Sequence, residues 1–389
     1  MQVKTDAITQ RQALNYPGPG EEAARFAAPG RVNLIGEHTD YSGGFVMPAA
    51  IDFHTIAAIR PRRDSKILIR SANFSDEVEY QADRLPNAGR HHWSDYPMGV
   101  VWSLSEQGIP FGGFELSITG DVPLGAGLSS SASITVACAF ALLSLARAEM
   151  PLAKIALACQ RAENGFVGAQ SGIMDQFIAC AGKRDHALML DCRSLEYRLL
   201  PIPPNVRIVI CNSMVKHSHA GGEYNQRRRE VEEGTRVLRQ RQPRIELLRD
   251  ATEADLMASR AEMPENVFRR CRHIVTENKR VLLAAEALES GDLTSFGELM
   301  RQAQSSIRDD FQASCREIDL LVEIASELPG CYGARMTGGG FGGCTVNLVE
   351  EAQAANFRES IRKRYRTDTG IDADVYLCTA SDGAGPFDE

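Results

Sequence analysis

A run of glycine and serine, Leu124-Gly125-Ala126-Gly127-Leu128-Ser129-Ser130-Ser131-Ala132-Ser133, stands between a strand-like stretch ending near Thr119 and a helical stretch over residues 130–146. That order dictates a strand, a glycine turn and a helix in succession. Glycines let the backbone aim N–H groups at a ligand, and the helix N-terminus adds roughly half a unit of positive charge, so an anion is favoured there. The serines can cap the helix, bind phosphate oxygens or ligate magnesium. A Walker A loop does not fit, because that motif needs Lys-Ser or Lys-Thr, and Gly182-Lys183 is followed by Arg184.

The rest of the chain alternates in the same way. Strand-like runs over residues 55–59, 66–70 and 114–119 precede helical candidates at 130–146 and 152–165, and further strands are expected at 187–190, 197–200 and 206–211. Long charged helices follow at 223–239, 267–289 and 293–307, with a shorter one at 318–326. Runs such as Arg227-Arg228-Arg229 read as solvated faces. Strands at 332–336, 345–349 and 375–378 with a helix at 352–366 end the chain. Both halves read as α+β. At 389 residues the chain exceeds the roughly 250 to 300 that one core usually organises, so two domains are expected. The boundary falls at the Pro-rich linker of residues 201–204, giving 1–200 and 201–389.

Composition narrows the function. With 43% apolar and 24% charged residues the chain reads as an ordinary globular enzyme. A net charge of -8 argues against a nucleic-acid partner. The longest nearly apolar run, residues 134–146, falls short of the about 20 residues a membrane span needs. The start, with Lys4, Asp6 and Arg11, has no signal-peptide pattern, so a cytoplasmic protein is expected. Ten cysteines without a C-x-x-C pair read as reduced and mostly buried.

Further segments carry candidate chemistry. Gly338-Gly339-Gly340-Phe341-Gly342-Gly343 satisfies G-x-G-x-x-G, yet a strand follows it, so the dinucleotide reading loses its context and close backbone approach is the better reading. Glu163 stands near a helix end, where a negative side chain opposes the dipole and asks for a cation. Asp175, after Gly172-Ile173-Met174, reads as a helix cap or a general base. The densest polar stretch, Pro29 to Tyr41, has no amphipathic period through residues 36–44 and reads as a binding site rather than a fold element.

The Pro-x-Arg-Val-Asn segment at Pro29, the Gly-Leu-Ser-Ser-Ser-Ala segment at Gly127 and the late glycine run, in this order, resemble the galacto-, homoserine, mevalonate and phosphomevalonate (GHMP) kinase superfamily. Gly30-Arg31-Val32-Asn33-Leu34-Ile35-Gly36-Glu37-His38-Thr39-Asp40-Tyr41 resembles the galactokinase signature, and Gly172-Ile173-Met174-Asp175-Gln176-Phe177 and Glu223-Tyr224 match the same family. Many galactokinases carry Ala where this chain has Gly339. The resemblance implies an N-terminal domain like ribosomal-protein S5 domain 2 and a C-terminal ferredoxin-like domain, with the active site between them. It also implies phosphorylation of the anomeric C1 hydroxyl of galactose with ATP and Mg2+, and a monomer is expected.

By position, Arg31, Glu37, His38, Asp40, Gly172, Asp175 and Tyr224 correspond to the sugar site. Ser131 and Glu163 correspond to the magnesium ligands. Gly125, Ala126, Gly127, Leu128, Ser129, Ser130 and Ser131 form the phosphate loop, and Trp93 with Tyr96 the adenine surroundings. Asp175 is expected to take the C1 hydroxyl proton, with Arg31 holding that carboxylate in its charged form and stabilising the phosphoryl group. His38 either touches sugar or satisfies backbone groups in a turn. His217 and His219 read as loop residues, lacking a third metal partner at useful spacing. The competing readings are a kinase for N-acetylgalactosamine or another galactose-like sugar, and a non-catalytic galactose and ATP sensor.

Overall fold

The computed structural model describes residues 23–216 and 220–387. The chain opens with β1 (Ala24–Asn33), β2 (Phe45–Val46), β3 (Pro48–Pro61), β4 (Lys66–Ser71) and β5 (Asp76–Gln81). Helix α1 (Asp95–Ser105) and β6 (Phe114–Gly120) lead into α2 (Ser130–Ala146), α3 (Leu152–Arg161) and α4 (Met174–Ala181). Next come β7 (His186–Asp191), β8 (Tyr197–Pro201) and β9 (Val206–Lys216), then α5 (Ala220–Arg241), α6 (Glu253–Ala258), α7 (Glu265–Glu289), α8 (Leu293–Ser306) and α9 (Arg316–Glu327). The last elements are β10 (Cys331–Thr337), β11 (Gly342–Glu350), α10 (Ala354–Thr369), β12 (Asp374–Cys378) and β13 (Gly385–Pro386).

The strands form three sheets. One runs β13-β1-β3-β6-β4-β5, antiparallel except between β4 and β6; another runs β10-β11-β9-β12; the smallest is β2-β7-β8. Helix α2 packs on β1 and β3 with α1, α3 and α4 around it. Its sequence, nearly apolar on all sides, suits such burial: residues from Ala132 to Leu143 are almost all inaccessible. In β9 the period of two separates the cores. Ile208 and Ile210 face a cluster with Val281, Phe296 and Met300, whereas Val209 and Cys211 face Leu321, Phe357 and Tyr365. The first of these clusters also contains Val32, Leu34 and Ile35, so the signature segment is anchored in the same core as α7, α8 and β9.

Several expectations change. The stretch beginning at Pro29 is not purely a binding segment, because Pro29 to Asn33 belong to β1 and pair with β3. The helix expected over residues 152–165 is α3 followed by a π-helical turn, Ala162–Val167. Residues 201–204 are no free linker: Pro201 ends β8, buried Ile202 donates to the Asp185 carbonyl, and Val206 N–H closes a turn on Pro203. Helices α1 and α4 and strand β5 were not expected from the pattern. In α1, the glycine at 99 interrupts the apolar run Met98, Val100, Val101 and Leu104, which blurs the period. All ten cysteines are free, and seven are buried. Among the described residues no helix is long and apolar enough to cross a membrane.

Candidate active site

A bulge in β1 aims the first functional side chain. The register against β3 shifts between Pro29 and Arg31. A Cβ on Gly30 would stand 2.9 Å from the Leu128 carbonyl oxygen, which accepts from Arg31 N–H at 3.1 Å. The glycine therefore admits the loop backbone, and the bulge re-aims Arg31. Its Nε and Nη2 each donate at 2.7 Å to one oxygen of Asp175, and Nη1 donates at 2.6 Å to the Gly127 carbonyl. Ser129 Oγ donates to the same carboxylate. Asp175 lies in the first turn of α4, where the cap residue Ile173 has no capping side chain, and its bonds run to Arg31 and Ser129. Its partners are those of a held carboxylate in a site, not of a helix cap.

The serines of the loop have separate tasks. Ser129, at the cap position of α2, adopts a left-handed φ of 59° and makes no capping bond. Ser131 faces the cleft of about 300 Å³ in which Arg31, Glu37, His38, Asp40, Tyr96, Glu163, Gly172, Asp175, Tyr224 and Gly338 also stand. Ser130 borders a neighbouring cleft, and Ser133 donates at 2.8 Å to the Ala28 carbonyl. Gly125 and Gly127 take φ of 68° and 79°, while Ala126 and Leu128 bury their side chains and anchor the loop. Trp93 does not join Tyr96 in the main cleft. It stacks on Phe74 at 5.8 Å and borders the neighbouring one, with Nε1 donating to Asp76 at 2.8 Å.

Burial sets the electrostatics. Loss of water pushes Glu37 and Glu163 up to about 7, and Asp40 up to about 6 with help from the Asp175 charge. Glu163, in the π-helical turn, accepts from Gln176 Nε2 at 2.8 Å and Thr135 Oγ1 at 3.3 Å. Among the described residues no cationic side chain pairs with it. Asp40 fits because its neighbour is glycine: any Cβ on Gly172 would collide with the Asp40 carboxylate. His38 is pushed down to about 3 by desolvation, so its ring is neutral. The ring stands 4.3 Å from Phe311 and 5.4 Å from Tyr224, and its buried Nε2 has no protein partner. Tyr224, on α5, lies under Gly339, where a methyl would meet its ring at an ordinary 3.5 Å.

Other contributors escaped the sequence reading. Glu37 accepts from Asn33 Nδ2 at 2.9 Å, from Gly338 N–H at 3.1 Å and from Arg335. The Arg227 to Arg229 run is only partly a solvated face. Arg227 donates to the carbonyls of Phe311 and Gln312, and Arg228 donates at 3.1 Å to Gln170 while lying 5.6 Å from the Tyr41 ring. Arginines that span loops in this way look like any charge run in one dimension. The glycine run does lie between two strands, β10 and β11; a Cβ on Gly338 would be 3.1 Å from the Gly127 carbonyl and one on Gly343 3.4 Å from that of Ala126. His217, His219 and the chain start lie outside the described residues.

A glycine-serine loop ahead of a helix, a carboxylate held by arginine beside it and a polar cleft are the parts a small-molecule kinase needs. Family models agree: residues 95–183 match the GHMP kinases N terminal domain and residues 284–367 the GHMP kinases C terminal, which makes the fold a two-domain α+β GHMP kinase. Residues 16–61 match the galactokinase galactose-binding signature. The galactokinase of Roseiflexus sp. (strain RS-1) is 48% identical over 358 residues, covering 92% of this chain and 91% of its own. That of Chloroflexus aggregans (strain MD-66 / DSM 9485) is 45% identical over 94% of both. The structure of Lactococcus lactis galactokinase complexed with galactose superposes with a TM-score of 0.93 at 34% identity, over 98% of this chain and 100% of that one. The chain belongs to the galactokinase family.

Proposed function

We propose that this protein transfers the γ-phosphoryl group of ATP to the anomeric C1 hydroxyl of galactose, giving galactose 1-phosphate. One observation carries the reading: a single guanidinium, Arg31, bonds both oxygens of Asp175 and the Gly127 carbonyl of the anion loop. The group that receives the hydroxyl proton is thereby tied to the loop that holds phosphate. Phosphoryl transfer needs alignment and charge stabilisation more than covalent chemistry, and this tie supplies alignment.

An ionised carboxylate has about four acceptor sites. Arg31 and Ser129 occupy three on Asp175, leaving one on Oδ1 for the sugar hydroxyl. So engaged, Asp175 acts as a weak base that chiefly orients the nucleophile. Asp40, Glu37 and Tyr224 offer the directional contacts a hexose needs, and an epimer with one inverted hydroxyl would leave a buried group unpaired.

The residues present fit magnesium. Among the described residues no cluster of three or more His, Cys, Asp or Glu side chains suits a metal on its own. Glu163 with Ser131 supplies one carboxylate and one hydroxyl in the cleft, the sparse protein set typical of magnesium shared with phosphates. When bound, the ion neutralises charge on phosphate oxygens. Glu163, buried without a cation, is the group whose environment calls for it. The main cleft of one chain brings together the proposed sugar and magnesium residues, which supports a monomer, and ten free thiols suit a reducing, cytoplasmic compartment.

Coupled ADP release with galactose, glucose, N-acetylgalactosamine and arabinose, with and without Mg2+, tests the reading. Turnover with galactose, none with glucose and none without the metal is expected. Preferred turnover of N-acetylgalactosamine, or galactose binding without ADP release, would replace it by the other kinase or by a sensor.

A further inference from the structure

Glu37 is gripped from behind the cleft by residues that do not line it. Glu277 Oε1, on α7, accepts from Gly36 N–H at 2.9 Å. One turn earlier on the same helix face, His273 Nε2 lies 3.2 Å from the Glu37 carbonyl oxygen, with Nδ1 held 2.9 Å from Ser306 Oγ. The side chain is held by Arg335 on β10, whose Nη1 bonds Oε2, the oxygen that also accepts from Asn33. Arg335 and Glu277 are wholly inaccessible and face each other at 3.5 Å, and Arg280 bonds the outer oxygen of Glu277 at 2.6 Å.

Such a network is a poor device for stability. Removing several charges from water costs about as much as their attraction returns, and apolar packing of equal volume does as well. What it provides is a fixed geometry. With two donors on Oε2 and one, Gly338 N–H, on Oε1, the remaining acceptor site belongs to Oε1. We propose that Arg335 is a positioning residue for sugar recognition, fixing Glu37 so that this one acceptor site meets a sugar hydroxyl, while Glu277 holds the backbone of Gly36 and His273 that of Glu37. This rests on the reading of Glu37 as a galactose contact.

The test measures KM for galactose, KM for ATP and kcat in the unaltered protein, Arg335→Lys, Glu37→Gln and the double variant, with folding checked by circular dichroism and thermal melting. Lysine keeps the charge but reaches as a single point rather than a planar fork. Arg335→Lys should raise KM for galactose about tenfold, leaving KM for ATP and kcat within about twofold; in the Glu37→Gln background it should add less than about twofold. An unchanged galactose KM, a parallel shift of all three constants, or an undiminished effect in the double variant would overturn the proposal.

Should Arg335→Lys fail to fold, the isosteric Glu277→Gln carries the same test, with a rise of about threefold expected for galactose alone and the same outcomes against it. Absence of galactose-dependent ADP release by the unaltered protein would overturn the functional reading itself. An active parent with an indifferent Arg335 would overturn only the positioning role.

Discussion

Asp175 shows how little a single residue's neighbourhood in the chain says about its task. A carboxylate in the first turn of a helix reads as a cap, yet its partners are Arg31, 144 residues away, and Ser129, 46 residues away. Asp175→Asn should lower kcat by about 100-fold or more in coupled ADP release, with galactose still bound in calorimetry, because the amide keeps the shape but cannot take the proton. Glu163 gives a second test with a sign. Its folded pKa, raised from 4.5 to about 7, means the folded state holds the proton more tightly in that window, so stability falls as pH rises through it. The cost is absent below about 4.5 and complete above about 7. In metal-free buffer, urea unfolding of Glu163→Gln should show a gain of about 2 kcal/mol at pH 8 and none at pH 4.5. The same variant should lose most of its Mg2+-dependent turnover.

Secondary structure was legible where one period ran unbroken. Helix α2 begins and ends at Ser130 and Ala146 as its apolar run indicates, and β4, expected over residues 66–70, runs one residue further to Ser71 with buried and half-buried residues alternating. It was not legible at the π-helical turn that carries Glu163, because an inserted residue leaves no mark in composition. The glycine run was recognised as a place of close approach; which backbone approaches which required the fold. Gly343 takes φ of 81° beside Ala126 of the glycine-serine loop. Gly343→Ala should cost about 1 kcal/mol in urea unfolding and raise KM for ATP about threefold, leaving galactose affinity unchanged, since strain there falls on the phosphate loop.

The two ends of the described chain meet. Strand β13 pairs with β1, Ser381 donates to the carbonyls of Ala50 and Ile51, and Gly383 and Ala384 donate to Gly182 and Ala179. Truncation before Thr379 removes these bonds together, at about 1 kcal/mol each, so a loss of about 4 kcal/mol or more is expected in urea unfolding. The amino-acid order by itself settled the alternating α+β pattern, the glycine-serine loop ahead of a helix and the family motifs, because each depends on residues within a turn or two of one another. The grip of Arg31 on Asp175, the separate duties of the loop serines, the parting of Trp93 from Tyr96 and the buried support of Glu37 were settled by packing. Those contacts join positions up to 301 residues apart, and only a shared core makes such positions neighbours.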